Sequence, residues 1–199
     1  MEVPLLIDDF LRRSAQVYPE KLAVVDGELR FTYRELQQRV NRLARALLRL
    51  GVKQGDRVCI LSPNSHFFLE SFYATSWIGA ILVPLNYRLL AADHEYILNH
   101  AGVGTVLVDW EYVKVVEEIR PRLATVKSYV VAQDGGAAPA GWLDWNMPKK
   151  LRPIWTGVTN SPMGNPHQPN RPHDSAAHTR RQLPQLRHER SDLLFHDVT

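Results

Sequence analysis

Cysteine is nearly absent from this chain: Cys59 is the one thiol in 199 residues. No disulfide can form within the chain, and no cysteine-based zinc site has its ligands. Cys59 falls in an apolar stretch, Val58-Cys59-Ile60-Leu61, so it reads as a small core residue. Long apolar runs are missing too. The longest, Trp77 to Leu85, is far short of the ~20 residues a membrane-crossing helix needs, and Met1 to Asp9 lacks the basic start of a secretory signal. A soluble, cytoplasmic setting without a membrane span is the expectation. Charge of one sign is also scarce. Residues 146–199 hold eight Lys or Arg against four acids, leaving 16 basic and 17 acidic residues before them. The basic pI is therefore a property of the tail.

The strongest local signal lies between Thr32 and Asn64. Thr32 with Glu35 three residues on is a capping-box pattern, in which hydroxyl and carboxylate each satisfy an orphan backbone N–H. Leu36, Val40, Leu43, Leu47 and Leu50 then recur in steps of three and four, with Arg39, Arg42, Arg45 and Arg49 outside the stripe. Gly51 suits a left-handed helix stop, and Gly55-Asp56 turns into a strand at Arg57 to Leu61. Around this unit the spacing predicts a helix from Asp8 to Val17 with Phe10, Leu11 and Ser14-Ala15 inward. A hairpin of Leu22–Val25 and Leu29–Phe31 follows, turning at Asp26-Gly27-Glu28.

Further on, Ser62-Pro63-Asn64-Ser65 caps a helix whose apolar positions read as Phe68, Phe72, Ala74-Thr75 and Ile78, ending at Gly79. Ala80 to Pro84 reads as a strand covered on both faces. A loop at Leu85 to Leu89 leads to a helix from about Ala92 to His100, and strands at Thr105–Val108 and Ser128–Ala132 flank a helix from Glu111 to Leu123. Strands separated by helices imply an α/β fold: a largely parallel sheet with flanking helices. Residues 1–132 are the expected α/β unit, 133–145 a linker rich in Gly and Ala, and 146–199 a disordered tail in which Pro and His accumulate.

Candidate chemistry is thin. Gly102-Val103-Gly104 precedes a strand rather than following one, which excludes a dinucleotide-binding loop. Ser62 to Ser65 places a helix N-terminus after a strand, where an anion could sit, although plain capping explains it. His66 reads as a surface side chain, because no carboxylate is placed by sequence to orient it. Asp93, His94 and Glu95 form a polar cluster at a helix start, explained by the helix dipole. Arg88, in the Asn86-Tyr87-Arg88 loop, is the best exposed candidate, with loop packing as the alternative. His167, His173, His178, His188 and His196 lack zinc-ligand spacing, and the basic tail, without interleaved aromatics, does not make a nucleic-acid surface.

Three phrases in order, FTYRELQQRVNRLARALLRLGVKQGDRVCILSPNS, GAILVPLNYRL and ILNHAGVGTVLVD, resemble the N-terminal region of AMP-forming acyl-CoA synthetases, the adenylate-forming ligases. The resemblance covers residues 4–145. It implies joining of a small carboxylic acid to AMP with Mg-ATP, release of pyrophosphate, and transfer of the acyl group to coenzyme A. The family's Ser/Thr/Gly-rich phosphate loop ending in Pro-Lys-Gly is expected soon after Asp144-Trp145, yet the sequence there reads NMPKKLRPIWTGVTNSPMGNPHQPNRPHDS. The later ribose and magnesium motifs and the C-terminal lysine domain are absent from these residues as well. No catalytic, cofactor-binding or metal residue of the family can be assigned to a numbered position. Permitted codons for His178 to Thr199, read one base on, spell a peptide resembling the family's segment after that loop, so the tail is expected to be a shifted frame. The expectation is an inactive, poorly soluble ligase fragment that does not bind ATP, Mg or CoA well. The alternative is a non-catalytic assembly module that pairs with a full-length relative.

Overall fold

The computed structural model describes residues 6–132 and 137–145; the expectations for residues 146–199 lie outside them. Helix α1 (Ile7–Val17) leads to an antiparallel hairpin of β1 (Leu22–Asp26) and β2 (Leu29–Thr32). Gly27 takes a positive φ of 53° at its tip. Helix α2 (Tyr33–Arg49) starts on the expected capping box: Thr32 N–H donates to Glu35 Oε2 at 2.8 Å, and Glu35 N–H to Thr32 Oγ1 at 3.3 Å. Leu36, Val40, Leu43 and Leu47 are buried, as the stripe predicts, and Leu50 packs at its margin.

The main sheet alternates with helices: β3 (Arg57–Leu61), α3 (His66–Trp77), β4 (Ile81–Pro84), α4 (Ala91–Ala101), β5 (Thr105–Asp109), α5 (Val113–Ile119), β6 (Ser128–Ala132) and β7 (Leu143–Asp144). Its five strands run parallel in the order β4-β3-β5-β6-β7. The two-residue period of the strands divides the core between the two faces. Val58, Ile60, Leu107 and Val130 pack under α1, α2 and α3. Cys59, Leu61, Val106, Val108 and Val131 pack under α4 and α5. Burial pushes the Cys59 thiol far above the usual range, so it is an inert core group.

Four details differ from the sequence reading. Strand β4, expected to be covered on both faces, is not: Ile81 is 53% exposed and Leu82 and Val83 are only partly buried, and the strand lies at the sheet edge. An apolar run alone does not say how many of its sides are covered. In α3 the buried positions are Phe67, Glu70, Ser71, Ala74, Thr75 and Trp77, while Phe72 faces outward. In α1 the buried face is Asp8, Leu11 and Ala15, with Phe10 exposed. The helix expected over Glu111–Leu123 is α-helical only across Val113–Ile119, between two 3-10 turns; Pro121, lacking an N–H, ends it.

Residues 133–145, read as linker, return to the sheet at their end. Leu143 and Asp144 pair with Val130 and Val131, Trp142 is buried, and the Trp145 ring meets Phe67 edge-on at 5.0 Å. Two tryptophans here supply the apolar area that the preceding Gly/Ala run lacks.

Candidate functional site

In an open parallel sheet, ligands favour the carboxyl ends of the strands where the chain reverses its direction of travel. Here β3 is followed by β4 on one side and then, across it, by β5 on the other. The crevice between the ends of β3 and β5 is therefore the place to look. It holds Ser62 to Ser65, the N-terminus of α3, and Asp109. Ser62 is buried; its Oγ lies 3.1 Å from Ser65 Oγ and 3.5 Å from Asp109 Oδ2, and donates to Pro63 O at 2.9 Å. Ser65 Oγ accepts from Phe68 N–H, capping α3, and Asp109 Oδ1 accepts from Glu111 N–H, capping the next turn. The hydroxyls and carboxylate of this crevice are thus engaged in organising the chain.

The position at α3 where an outside anion would sit is filled by the protein itself. Asp26, from the hairpin tip, accepts the His66 backbone N–H at 2.8 Å and pairs with His66 Nδ1 at 2.6 Å through the same oxygen. These two bonds, the backbone one first, hold the Asp26 carboxyl below its ordinary pKa. His66 is thereby corrected from a surface side chain without an orienting carboxylate to a carboxylate-oriented imidazole. Because an ionised carboxylate only accepts, Nδ1 carries the hydrogen in this contact, which fixes the orientation of the ring. The partner is 40 residues away in sequence, which is why spacing could not find it. Among the described residues, neither Ser62 nor Ser65 hydrogen-bonds the His66 ring, so no nucleophile completes a triad.

Beside this dyad lies a buried ion pair that sequence reading missed. Glu70 of α3 is fully buried and accepts from Arg39 Nε of α2. The Arg39 guanidinium also lies 4.7 Å over the Phe31 ring, which sits 5.5 Å from the His66 ring. Burial raises the Glu70 pKa above the usual carboxylate value, against the pull of Arg39. Desolvation wins because Glu70 Oε2 finds no hydrogen-bond donor among the described residues. A glutamate in the middle of the apolar run HFFLESF was the available signal.

The Asp93-His94-Glu95 cluster divides. Asp93 Oδ2 accepts the Leu90 N–H at 3.1 Å, Glu95 pairs with Arg122 at 2.6 Å, and His94 turns into the core. Both His94 ring nitrogens lack partners among the described residues, and burial lowers its pKa, which favours the neutral ring. Arg88 is exposed and stacks 5.5 Å over Tyr87, which meets Tyr112 at 5.8 Å, the loop-packing alternative. Gly102 ends α4 with φ 63° against the Arg57 guanidinium, not in a phosphate loop.

A cleft of about 410 Å³ opens at the opposite, amino-terminal edge of the sheet, lined in part by Asp56, Arg57, Thr105, Thr125, Lys127 and Ser128. Arg57 is already committed to Ala101 O at 2.9 Å and Gly102 O at 3.1 Å. The negative carboxyl ends of α2 and α4 converge there and offset its cations. Among the described residues no group of three or more metal-ligating side chains occurs, and no helix is long and apolar enough to cross a membrane.

Comparison with known proteins agrees with this architecture. A family model described as AMP-binding enzyme matches residues 11–178, running past the span over which the motifs were read. A long-chain-fatty-acid–CoA ligase from Thermus thermophilus is 40% identical over 147 residues, covering 72% of this chain and 27% of that protein. A 4-hydroxybutyrate–CoA ligase from Metallosphaera sedula is 36% identical, covering 60% and 21%. The solved structure of the anthranilate CoA ligase AuaEII with anthranoyl-AMP superposes with a TM-score of 0.68 at 30% identity, over 73% of this chain and 29% of that one. The chain thus spans about a quarter of the length of the relatives it matches, and by the match over residues 11–178 it belongs to the AMP-binding enzyme family.

Proposed function

We propose that residues 1–145 form the amino-terminal α/β part of a carboxylic acid–CoA ligase, with Leu143–Asp144 supplying the last strand of the sheet. The carrying observation is the family match over residues 11–178. The relatives named above are acid–CoA ligases, and one was crystallised with an acyl-adenylate, the intermediate such a reaction passes through. A carboxylate is a poor electrophile, and joining it to AMP gives it a leaving group that the CoA thiol can displace. ATP, Mg and CoA are the cofactors of that reading, a small carboxylic acid its substrate, and the cytoplasm its setting.

The described residues do not fit those cofactors. The α3 N-terminus is closed by Asp26, no three carboxylates converge, and the crevice polar groups are engaged in capping. No catalytic step is therefore assigned to them. That a polypeptide of these 199 residues does not adenylate is part of the proposal, and it rests on the sequence after Asp144-Trp145, where no Ser/Thr/Gly-rich loop ending in Pro-Lys-Gly is found. ATP–pyrophosphate exchange with a panel of carboxylic acids tests this on the purified chain. Exchange at background is expected; acid-dependent exchange above it overturns the expected inactivity and leaves the ligase assignment standing.

One observation favours assembly with a longer relative as a second reading. The outer edge of β4 is unpaired among the described residues, and Ile81 and Phe72 are exposed. Such an edge is a template for another chain. Co-elution with a full-length ligase would support it, and separate elution at micromolar concentration would end it.

A further inference from the structure

The β1–β2 hairpin stands apart from the five-stranded sheet, pairing only within itself. At its base, Tyr33 N–H donates to Lys21 O at 3.0 Å and Arg34 N–H to Pro19 O at 3.1 Å, joining it to the start of α2. At its tip, the Asp26 carboxylate grips the first residue of α3 through two hydrogen bonds. Between base and tip its apolar anchorage is partial: Leu22, Val25 and Leu29 are each about half exposed, Ala23 and Val24 pack partly buried against the core, and none of the hairpin's apolar side chains is fully buried.

We propose that this hairpin is a strap that opens as a unit about its base, its closed state held by the Asp26–His66 clip. Partial apolar burial between a hydrogen-bonded base and a polar clip at the tip is the mark of a segment that opens below the global unfolding free energy. The strap is also an occupant. Its carboxylate fills the place at the α3 N-terminus where backbone N–H groups favour negative charge, so opening exposes that place to solvent. The charged groups facing the clip are few. Arg39 of α2 reaches it through the Phe31 ring, and Glu70 lies one turn along α3, with Arg42 beyond.

Native-state hydrogen exchange of the full 199-residue chain, read by mass spectrometry across a urea series below the unfolding midpoint, tests the strap. Amides of residues 22–32 should exchange through an opening with a shallow urea dependence, and those of β3 and β5 through a steep one. Asp26→Ala should speed hairpin exchange roughly 10- to 100-fold, the range for losing hydrogen bonds to a charged group, with β3 and β5 unchanged. His66→Ala keeps the backbone bond and should speed it less. A hairpin with the same steep urea dependence as β3 overturns the proposal. So does an Asp26→Ala effect that is absent or shared by the sheet. If that variant does not fold, the urea series on the unaltered chain decides alone.

Discussion

Helices α2 and α3 cover the same face of one sheet, yet the first is written plainly in the sequence and the second is not. Helix α2 has a capping box, an apolar stripe and arginines off it, of which Arg34, Arg42 and Arg49 are exposed, because one of its sides meets water. Helix α3 packs against α1, α2 and the sheet, and its buried positions include Glu70, Ser71 and Thr75. Those polar groups are tolerated for separate reasons. Ser71 Oγ and Thr75 Oγ1 each donate to the carbonyl four residues back, at 2.8 Å, so neither needs an outside partner. Glu70 does need one and takes it from α2. Periodicity therefore reports which side of a helix faces solvent. It fails where a helix is enclosed and its polar side chains are satisfied internally.

Breaking the Arg39–Glu70 link between the two helices should have the largest effect. Arg39→Ala leaves Glu70 buried without its cation and is expected to cost about 3–5 kcal/mol at neutral pH, read as a lower urea midpoint. Because burial raises the Glu70 pKa in the folded state, this carboxyl's contribution is most favourable at acid pH. It declines as pH climbs through the raised value, so the Arg39→Ala deficit should shrink on acidification. Replacing both partners, Arg39→Met with Glu70→Leu, should return stability to within about 1 kcal/mol of the unaltered chain or above it.

On the legible side, Leu43→Ala in the α2 stripe should cost about 2–5 kcal/mol, and Thr32→Ala at its cap about 1 kcal/mol. Both are measured by the same urea titration. Ser71→Ala in α3 should cost less than about 1 kcal/mol, since its hydroxyl serves only the Phe67 carbonyl. A loss as large as that of Leu43→Ala would mean that buried hydroxyls carry α3 after all.

The same physics sets what was legible elsewhere. Gly27, Gly51, Gly55 and Gly79 take positive φ values where turns and helix stops were read, since the backbone demand is local. The order of strands and helices followed from patterns of similarly short range. Long-range facts did not follow. Asp26 meets His66 across 40 residues, β4 lies at an edge because of topology, and Trp142 and Trp145 bring a Gly/Ala-rich segment back to the sheet. The candidate site was less legible than the fold for that reason: its decisive contact joins a hairpin tip to a helix start, and neither announces the other.

A chimera offers the most direct test of the ligase reading. Residues 11–145 of this chain would replace the matching span of the Thermus thermophilus ligase, which is 40% identical. Acid-dependent ATP–pyrophosphate exchange by the purified chimera is the expected result. A chimera that unfolds cooperatively, binds ATP and yet shows no exchange would contradict the assignment of this α/β unit to an acid–CoA ligase.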